Sequence, residues 1–535
     1  MMKKRIAVLA AALLVASLIG CSAPGVSKQS APDAASRITV GEAVDFTSFE
    51  PIGSMDAQGF AHYSGLVYET LVNYVDGQPQ PALAESWENN GNEWTLHLRR
   101  GVKFSDGEDF NAEAVKLNIE ALSAAYGEYI PYYGSYSKIS EIDIVDDYTV
   151  RIVYTEPYPN VLQEFSASVF SMLSPKMFEN GNVPYGNYSE DTAGTGPYML
   201  KKEDVAFGQS YTFTENPDWW GEKSGPDSFT VKIIPDEDAR MMALEAGEID
   251  MLYGSYQITY DMFDRLAKDE SLNAMASDKT YTTRNLLLNA SHDILGDVNV
   301  RKAIQHGTNK QQIIDTVLHG KEAKADALFS ADLPHCDVAL RPYEYDADLA
   351  NRLLDEAGWA ERGSDGIRMK DGRPLVLHAI YQSSRPADEQ ILMAFKGQMH
   401  ELGIGVEMQG YETMAWFEKG MEGEFDVSVN DTYGFPQDPH VFLTAMLDEG
   451  LDKSAQRNLK ELPELTQHIQ SMMSTVDEDT LEDDYAYVLR TLHDESLYVS
   501  ISYVRELAVF DSDKIGGYVF ADEALRMDMT SLKLA

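Results

Sequence analysis

Beyond residue 37 the chain offers about 500 residues and one cysteine, Cys336, so no intramolecular disulfide can staple it and every domain must close on its own apolar core. Domains usually hold about 100 to 200 residues, which makes one core too few for this length. Two or three domains are expected. No second long apolar run follows the first one, so the body is expected to be soluble.

That first run lies at the N-terminus. Lys3, Lys4 and Arg5 precede an apolar stretch from Ile6 to Ile19 interrupted only by Ser17, shorter than the about 20 residues a spanning helix needs. Residues 1–20 therefore read as an export signal. The following Leu18-Ile19-Gly20-Cys21 resembles the lipobox of bacterial lipoprotein precursors, which implies lipidation on Cys21; an ordinary secretory cleavage site is the other reading. Residues 21–37 are rich in Ser, Ala, Pro, Lys, Gln and Asp without apolar periodicity, as in a flexible tether.

Loss of the three basic residues takes the formal charge from −44 to −47. A surface this acidic repels nucleic acid and anionic head groups, which excludes both as partners; it suits high salt, a cationic ligand or simple solvation.

The body alternates strand and helix signals. Ile38-Thr39-Val40 opens a strand, and Tyr63, Leu66, Val67, Leu71 and Tyr74 recur at helical spacing, predicting a helix from His62 to Tyr74. Trp94 to Leu98 alternates like a half-buried strand, and Asn111 is placed to cap a helix through Val115, Ile119 and Leu122. Phe229 to Ile234 reads as a strand, Asp236 or Asp238 starts a helix that Gly247 ends, and Ile249 to Leu252 is again extended. Helices follow at Val300–His306 and Leu349–Ala357, then a strand at Leu375–Tyr381 and a helix at Ala387–Leu402, as a βαβ unit requires. The pattern predicts a mixed α/β protein.

Blocks in a fixed order then carry a family resemblance. Val67-Tyr68-Glu69-Thr70-Leu71-Val72, Pro81 to Trp87, and Leu98-Arg99-Arg100-Gly101-Val102-Lys103-Phe104-Ser105-Asp106-Gly107 come first. Gly194-Thr195-Gly196-Pro197-Tyr198, Asn216 to Gly221, Ala246 to Asp250, Val300 to Ile304 and Leu353 to Trp359 follow. Together they resemble solute-binding protein family 5, the dipeptide, oligopeptide and nickel receptors of ABC importers. Arg240 to Gly254, Tyr433 to His440 and Leu492 to Tyr503 are similar to the nickel branch.

The resemblance implies a two-lobed periplasmic-binding-protein type II fold (cluster C) with a small domain inserted in lobe I. It places lobe I at 38–84, 194–286 and 500–535, the insertion at 85–193 and lobe II at 287–499. The chain is then expected to act as a monomer, without cofactor and not as an enzyme, at the outer face of the cell membrane, or facing a periplasm where there is one. It would capture a small-molecule ligand in a cleft that closes by hinge motion and pass it to a permease and ATPase complex.

Within that family the peptide receptors hold a terminal ammonium on an aspartate at the position matching Phe435, where only a ring face is available here; Asp431 and Asp438 lie nearby. The nickel receptors use insertion-domain arginines and a histidine. The matching stretch Ser166-Ala167-Ser168-Val169-Phe170-Ser171-Met172 has no arginine, and Leu447 to Leu451 no histidine. Nickel or a related metal chelate or small anionic metabolite is the first expected cargo, a short peptide the second. A surface sensing or adhesion lipoprotein is the third reading.

Arginine supplies the forked donor that a carboxylate or chelate needs. Arg385, between a strand end and a helix start, and Arg284, beside the expected crossing into lobe II, are the candidates; a surface ion pair is the alternative for each. Tyr433, Phe435, Gln437 and Ser168 complete the expected site with His62 and Tyr63, and Tyr129, Tyr132 and Tyr133 are further aromatic candidates. His335-Cys336 has no metal-ligand spacing around it, and no GxSxG, HExxH, P-loop or EF-hand pattern occurs.

Metabolic labelling with radioactive palmitate is expected to mark the wild-type chain and to leave Cys21→Ser unmarked; equal labelling would exclude Cys21 as the lipid site.

Overall fold

The computed structural model describes residues 37–535 apart from 47, 52–58, 76, 127–133, 179–190, 223, 281, 434–438, 449–461 and 524. The export signal, Cys21 and nearly all of the tether lie outside the described residues.

A seven-stranded sheet forms from Leu272–Ala276, Leu507–Asp511, Met251–Tyr253, Arg37–Glu42, Ser228–Ile233, Ser210–Glu215 and Tyr198–Ala206, in that order. The expected strands at 38–40 and 229–234 pair in parallel, Val40 opposite Val231. Between them and the next strand, Asp236 caps the helix Glu237–Glu245 by accepting from the Ala239 amide at 2.8 Å, which satisfies one of the amides a helix start leaves open.

The second sheet has six strands, Ala323–Lys324, Tyr498–Tyr503, Thr283–Leu288, Val427–Asp431, Val376–Gln382 and Gly405–Tyr411. Val376–Gln382, the helix Pro386–Glu401 and Gly405–Tyr411 make the expected βαβ unit, its strands parallel with Leu377 opposite Val406. Asp297 and Asp346 cap the helices Val298–Gly307 and Ala347–Glu356. The faces of these elements meet in one core with Leu286, Leu288, Ile304, Leu354, Leu377 and Phe395, all buried.

The chain passes between the two sheets along a two-stranded ribbon. Leu272–Ala276 pairs antiparallel with Leu507–Asp511 and Thr283–Leu288 with Tyr498–Tyr503. The connecting stretches stay bonded, Ser277 N to Glu506 O at 2.8 Å and Val504 N to Thr282 O at 2.9 Å. The lobe boundaries expected at 286/287 and 499/500 each fall within a strand of the six-stranded sheet.

A third, four-stranded sheet runs Ala84–Asn90, Glu93–Leu98, Thr149–Tyr154, Ile139–Asp146. Trp94, Leu96 and Leu98 alternate inward against Val150, Ile152 and Tyr154 and are covered by Val115, Ile119 and Leu122 of the helix Ala112–Tyr126. Asn111 starts that helix by accepting from the Ala114 amide at 3.0 Å.

The helix expected from His62 to Tyr74 is not formed. Only Gly59–His62 and Ser64–Val67 coil, and Val72–Val75 is a strand. The Val67 carbonyl accepts from Gly196 N at 2.9 Å instead of from the next helical turn, and Leu71 O accepts from Ala84 N at 2.8 Å. Tyr63, Leu66, Val67, Tyr68, Leu71 and Val72 are all buried, so apolar residues fill both faces and their spacing mimics a helix. The close approach needs glycine: a Cβ on Gly194 would stand 2.0 Å from the Val67 carbonyl oxygen.

Gly194→Ala is accordingly expected to lower stability by about 1–3 kcal/mol. Gly397→Ala, in the exposed helix face where a Cβ meets nothing within 4 Å, is expected to raise it by about 0.5–1 kcal/mol. Urea unfolding midpoints measure both.

Candidate functional site

The strand Met251–Tyr253 leaves the seven-stranded sheet into the loop Gly254–Thr259, which faces the C-terminal end of Val376–Gln382 and the start of helix Pro386–Glu401. Ser255, Tyr256, Arg284, Arg385, Pro386 and Gln390 line the cleft between them. Such a strand-to-helix junction is where open α/β sheets place ligands. Arg385 precedes Pro386, whose fixed φ suits the first helical position, and the arginine itself is extended at φ −116°. Its side chain is thereby delivered into the cleft rather than along the helix.

Tyr256 and Arg385 meet across the cleft. The guanidinium carbon lies 4.1 Å from the Tyr256 ring centroid. Arg385 Nη1 donates to Asp431 Oδ2 at 2.9 Å, and the Tyr256 hydroxyl donates to the same oxygen at 2.7 Å. The Arg385 and Asp431 side chains are 15% and 7% exposed, so this is a shielded pair and no surface bridge.

Behind it Arg284, 2% exposed, donates from Nη1 to Asp388 Oδ1 and from Nη2 to Glu322 Oε1, each at 3.3 Å. Glu322 also accepts from the hydroxyls of Tyr260, at 2.6 Å, and Ser502. Two guanidinium groups thus face three carboxyl groups. Burial pushes Asp388 up to about 7, Arg385 pulls it down, and Asp431 raises it again. Burial disfavours the Arg284 charge, but Glu322, Asp431 and Asp388 outweigh it and hold the arginine protonated. Asp431 Oδ1 and Arg284 Nε are buried and have no hydrogen-bond partner among the described residues. An unsatisfied buried polar atom costs about 1–3 kcal/mol, so the pair marks a place where polar groups are held ready.

Of the expected site residues, Arg284 and Arg385 are therefore brought together. Tyr433 is half-buried, with its ring 4.8 Å from Phe442, and packs between two cores. Tyr63 is a correction: it is fully buried against Phe213 and Phe229, which stack on each other, and has no cleft surface, because the segment that carries it is covered on both sides. His62 is also buried, its Nδ1 2.9 Å from Glu42 Oε2. Ser168 begins a single turn, Ser168–Phe170, against Glu523, whose carboxyl is raised by burial and lowered by Arg526 and Ser168. Phe435, Gln437, Asp438, Tyr129, Tyr132 and Tyr133 lie outside the described residues.

Sequence reasoning missed Tyr256, Glu322 and Asp388. Asp388 had a signal, as an acid in the first turn after Arg385; the other two had none nearby. Cys336 is buried in an apolar cluster, while His335 brings a ring nitrogen within 4.8 Å of carboxylate oxygens of Glu478 and Glu482, the one such convergence of three metal-ligating groups among the described residues. No described helix is long and apolar enough to cross a membrane.

Comparison with known proteins gives this geometry a context. Residues 78–453 match the model of bacterial extracellular solute-binding proteins, family 5. The nickel-binding periplasmic protein of Escherichia coli K12 is 30% identical over 523 residues, covering 97% of each chain. The probable D,D-dipeptide-binding periplasmic protein of the same organism is 24% identical over 499 residues, 90% of this chain and 91% of the relative. The crystal structure of NikA from Brucella suis in complex with Fe(III)-EDTA superposes with a TM-score of 0.86 at 32% identity, covering 93% of this chain and 100% of the other. The chain belongs to solute-binding protein family 5, has the two-lobed type II fold, and is a substrate-binding component of an ABC importer rather than an enzyme.

The raised Asp388 carboxyl has a signed consequence. Between the unfolded value near 4 and the folded value of about 7 the native state keeps a proton that the unfolded chain releases, so this group makes stability fall as pH rises through that window. Relative to Asp388→Asn, wild type is expected to lose about 1.4 kcal/mol per pH unit there. Urea unfolding from pH 4 to 7.5 reads the difference in slope; parallel curves would show that Asp388 titrates normally.

Proposed function

We propose that this family 5 protein is a receptor, lipid-anchored through Cys21, that captures nickel as a metal chelate, or a related small anionic metabolite, in the cleft between its lobes. The observation that carries the reading is Arg385, a shielded guanidinium held between Tyr256 of one lobe and Asp431 of the other. A carboxylate entering the cleft meets a donor already desolvated and oriented, so little ordering is left to oppose binding. The similarity to a nickel-binding relative along 97% of the chain supports a metal cargo. Because 166–172 has no arginine and 447–451 no histidine, recognition would fall on the chelator's carboxylates and leave the metal coordinated by the chelator.

A short peptide is the second reading, favoured by Asp431 Oδ1, a buried acceptor suited to an ammonium group. In either case the insertion is taken as 85–193, and the hinge as the crossings at 277–282 and 504–506.

Calorimetry with nickel(II)–bis(L-histidine), nickel(II) citrate and a short-peptide library separates the two. Binding of a nickel chelate, weakened in Arg385→Ala by about 2–5 kcal/mol, is expected. Binding of peptides alone would overturn the metal reading, and unchanged affinity in Arg385→Ala would remove Arg385 from the site.

A further inference from the structure

The four-stranded sheet and the six-stranded sheet share no strand, and the chain runs from one to the other through the seven-stranded sheet and the crossings. One direct contact between them is polar and buried. The helix Pro439–Asp448 follows the strand Val427–Asp431 of the six-stranded sheet, and Phe442, Leu443 and Met446 root it in that lobe's core. Its second residue, His440, points the other way and is 1% exposed.

There His440 meets residues of the unit built on the four-stranded sheet. Asn160 Nδ2 stands 3.0 Å from Nδ1, and Tyr158 Oη 3.0 Å from Nε2. The Tyr158 hydroxyl donates to Glu164 Oε1, and its oxygen also accepts from Gly134 N at 3.2 Å. Glu164, itself 1% exposed, accepts on Oε2 from the Ser135 amide, at 2.8 Å, and from the Ser135 hydroxyl.

With the Asn160 amide nitrogen toward Nδ1, the contacts form one chain: Asn160 N–H to Nδ1, Nε2–H to the Tyr158 oxygen and Tyr158 O–H to the Glu164 carboxylate, whose Oε1 stands 3.6 Å from Nε2. Beside it Val441 packs into the four-stranded unit's apolar cluster, so the polar link is sealed from water. A side chain that reaches from one unit into a satisfied, water-free socket of another loses that whole network when the two units separate.

We propose that His440 is the positioning residue that holds the two sides of the cleft together: a socket of Asn160, Tyr158 and Glu164 receives it on closure and releases it on opening. The inference rests on the reading of the chain as a cleft-closing receptor and adds to it a specific contact. Asp431, which anchors Arg385, ends the strand that leads into the same helix. A ligand that draws Arg385 and Asp431 toward Tyr256 therefore draws His440 toward its socket.

Spin labels on Glu113→Cys and Met414→Cys, exposed positions on the two sides, report the separation by pulsed electron resonance in the full-length chain carrying Cys21→Ser, with Cys336 buried. Without ligand, the short-distance population is expected to fall at least tenfold in His440→Ala and about threefold in Tyr158→Phe. His440→Gln, which restores a donor near the Nε2 position, is expected to recover part of it. Tyr158→Phe, which retains the ring, keeps the test valid if His440→Ala fails to fold. Distributions matching wild type in both variants, or no short population in wild type, would overturn the latch. Addition of nickel(II)–bis(L-histidine) forms the second arm: a shift of wild type toward the short distance is expected. No response there would overturn the chelate reading of the cargo, while the ligand-free comparison still decides the latch.

Discussion

Three carboxyl groups sharing two guanidinium groups in a largely buried space is an arrangement that cannot be fully ionised at low cost. Each ion removed from water carries a penalty of several kcal/mol that only close opposite charge and hydrogen bonds offset. The odd carboxyl, Asp388, responds with a pKa pushed up to about 7, and below that pH, where it is protonated, the remaining charges balance. That balance fixes much else. It joins the strands Thr283–Leu288 and Val427–Asp431 to the start of helix Pro386–Glu401, and through Tyr256 of the loop and Tyr260 at the start of the helix Tyr260–Leu266 it ties the segment after Met251–Tyr253 to the other lobe.

How much of this was legible in the sequence depended on the range of the interactions. Local ones were readable: a helix start at Asp236 or Asp238, the Asn111 cap, the alternation in Trp94 to Leu98, and the strand and helix between 375 and 402 are set by residues a few positions apart. Arg385 was found the same way, from the junction it occupies. Asp431 was noted only as an acid near Phe435, and its pairing with Arg385 and Tyr256 was not legible, because the three are distant in the chain and no periodic pattern marks the contact. The segment from His62 to Tyr74 failed for a different reason. Apolar spacing reports which side is covered, and where every side is covered it reports nothing, so Tyr63 passed for a helix-face residue near a cleft when it is part of an aromatic core.

The acidity of the chain is also partly explained at close range. Asp236, Asp297, Asp346 and Asp477 each accept from an amide in the first turn of a helix, where a negative side chain is favoured by both the open N–H groups and the helix dipole. Composition alone would assign these acids to a solvated surface. Their positions show that a share of the negative charge is structural, and that it stands at helix starts in both large lobes.

The paired crossings have a mechanical meaning. A single connecting strand would act as a swivel, leaving the lobes free to twist and slide as well as to open. Two strands bonded side by side, Ser277 to Glu506 and Thr282 to Val504, behave as a leaf spring: the ribbon flexes across its thin direction and resists shear along its length. On the proposed hinge, opening is then confined to one angular coordinate. A transporter docked on both lobes can read occupancy from a single angle, whatever solute set it.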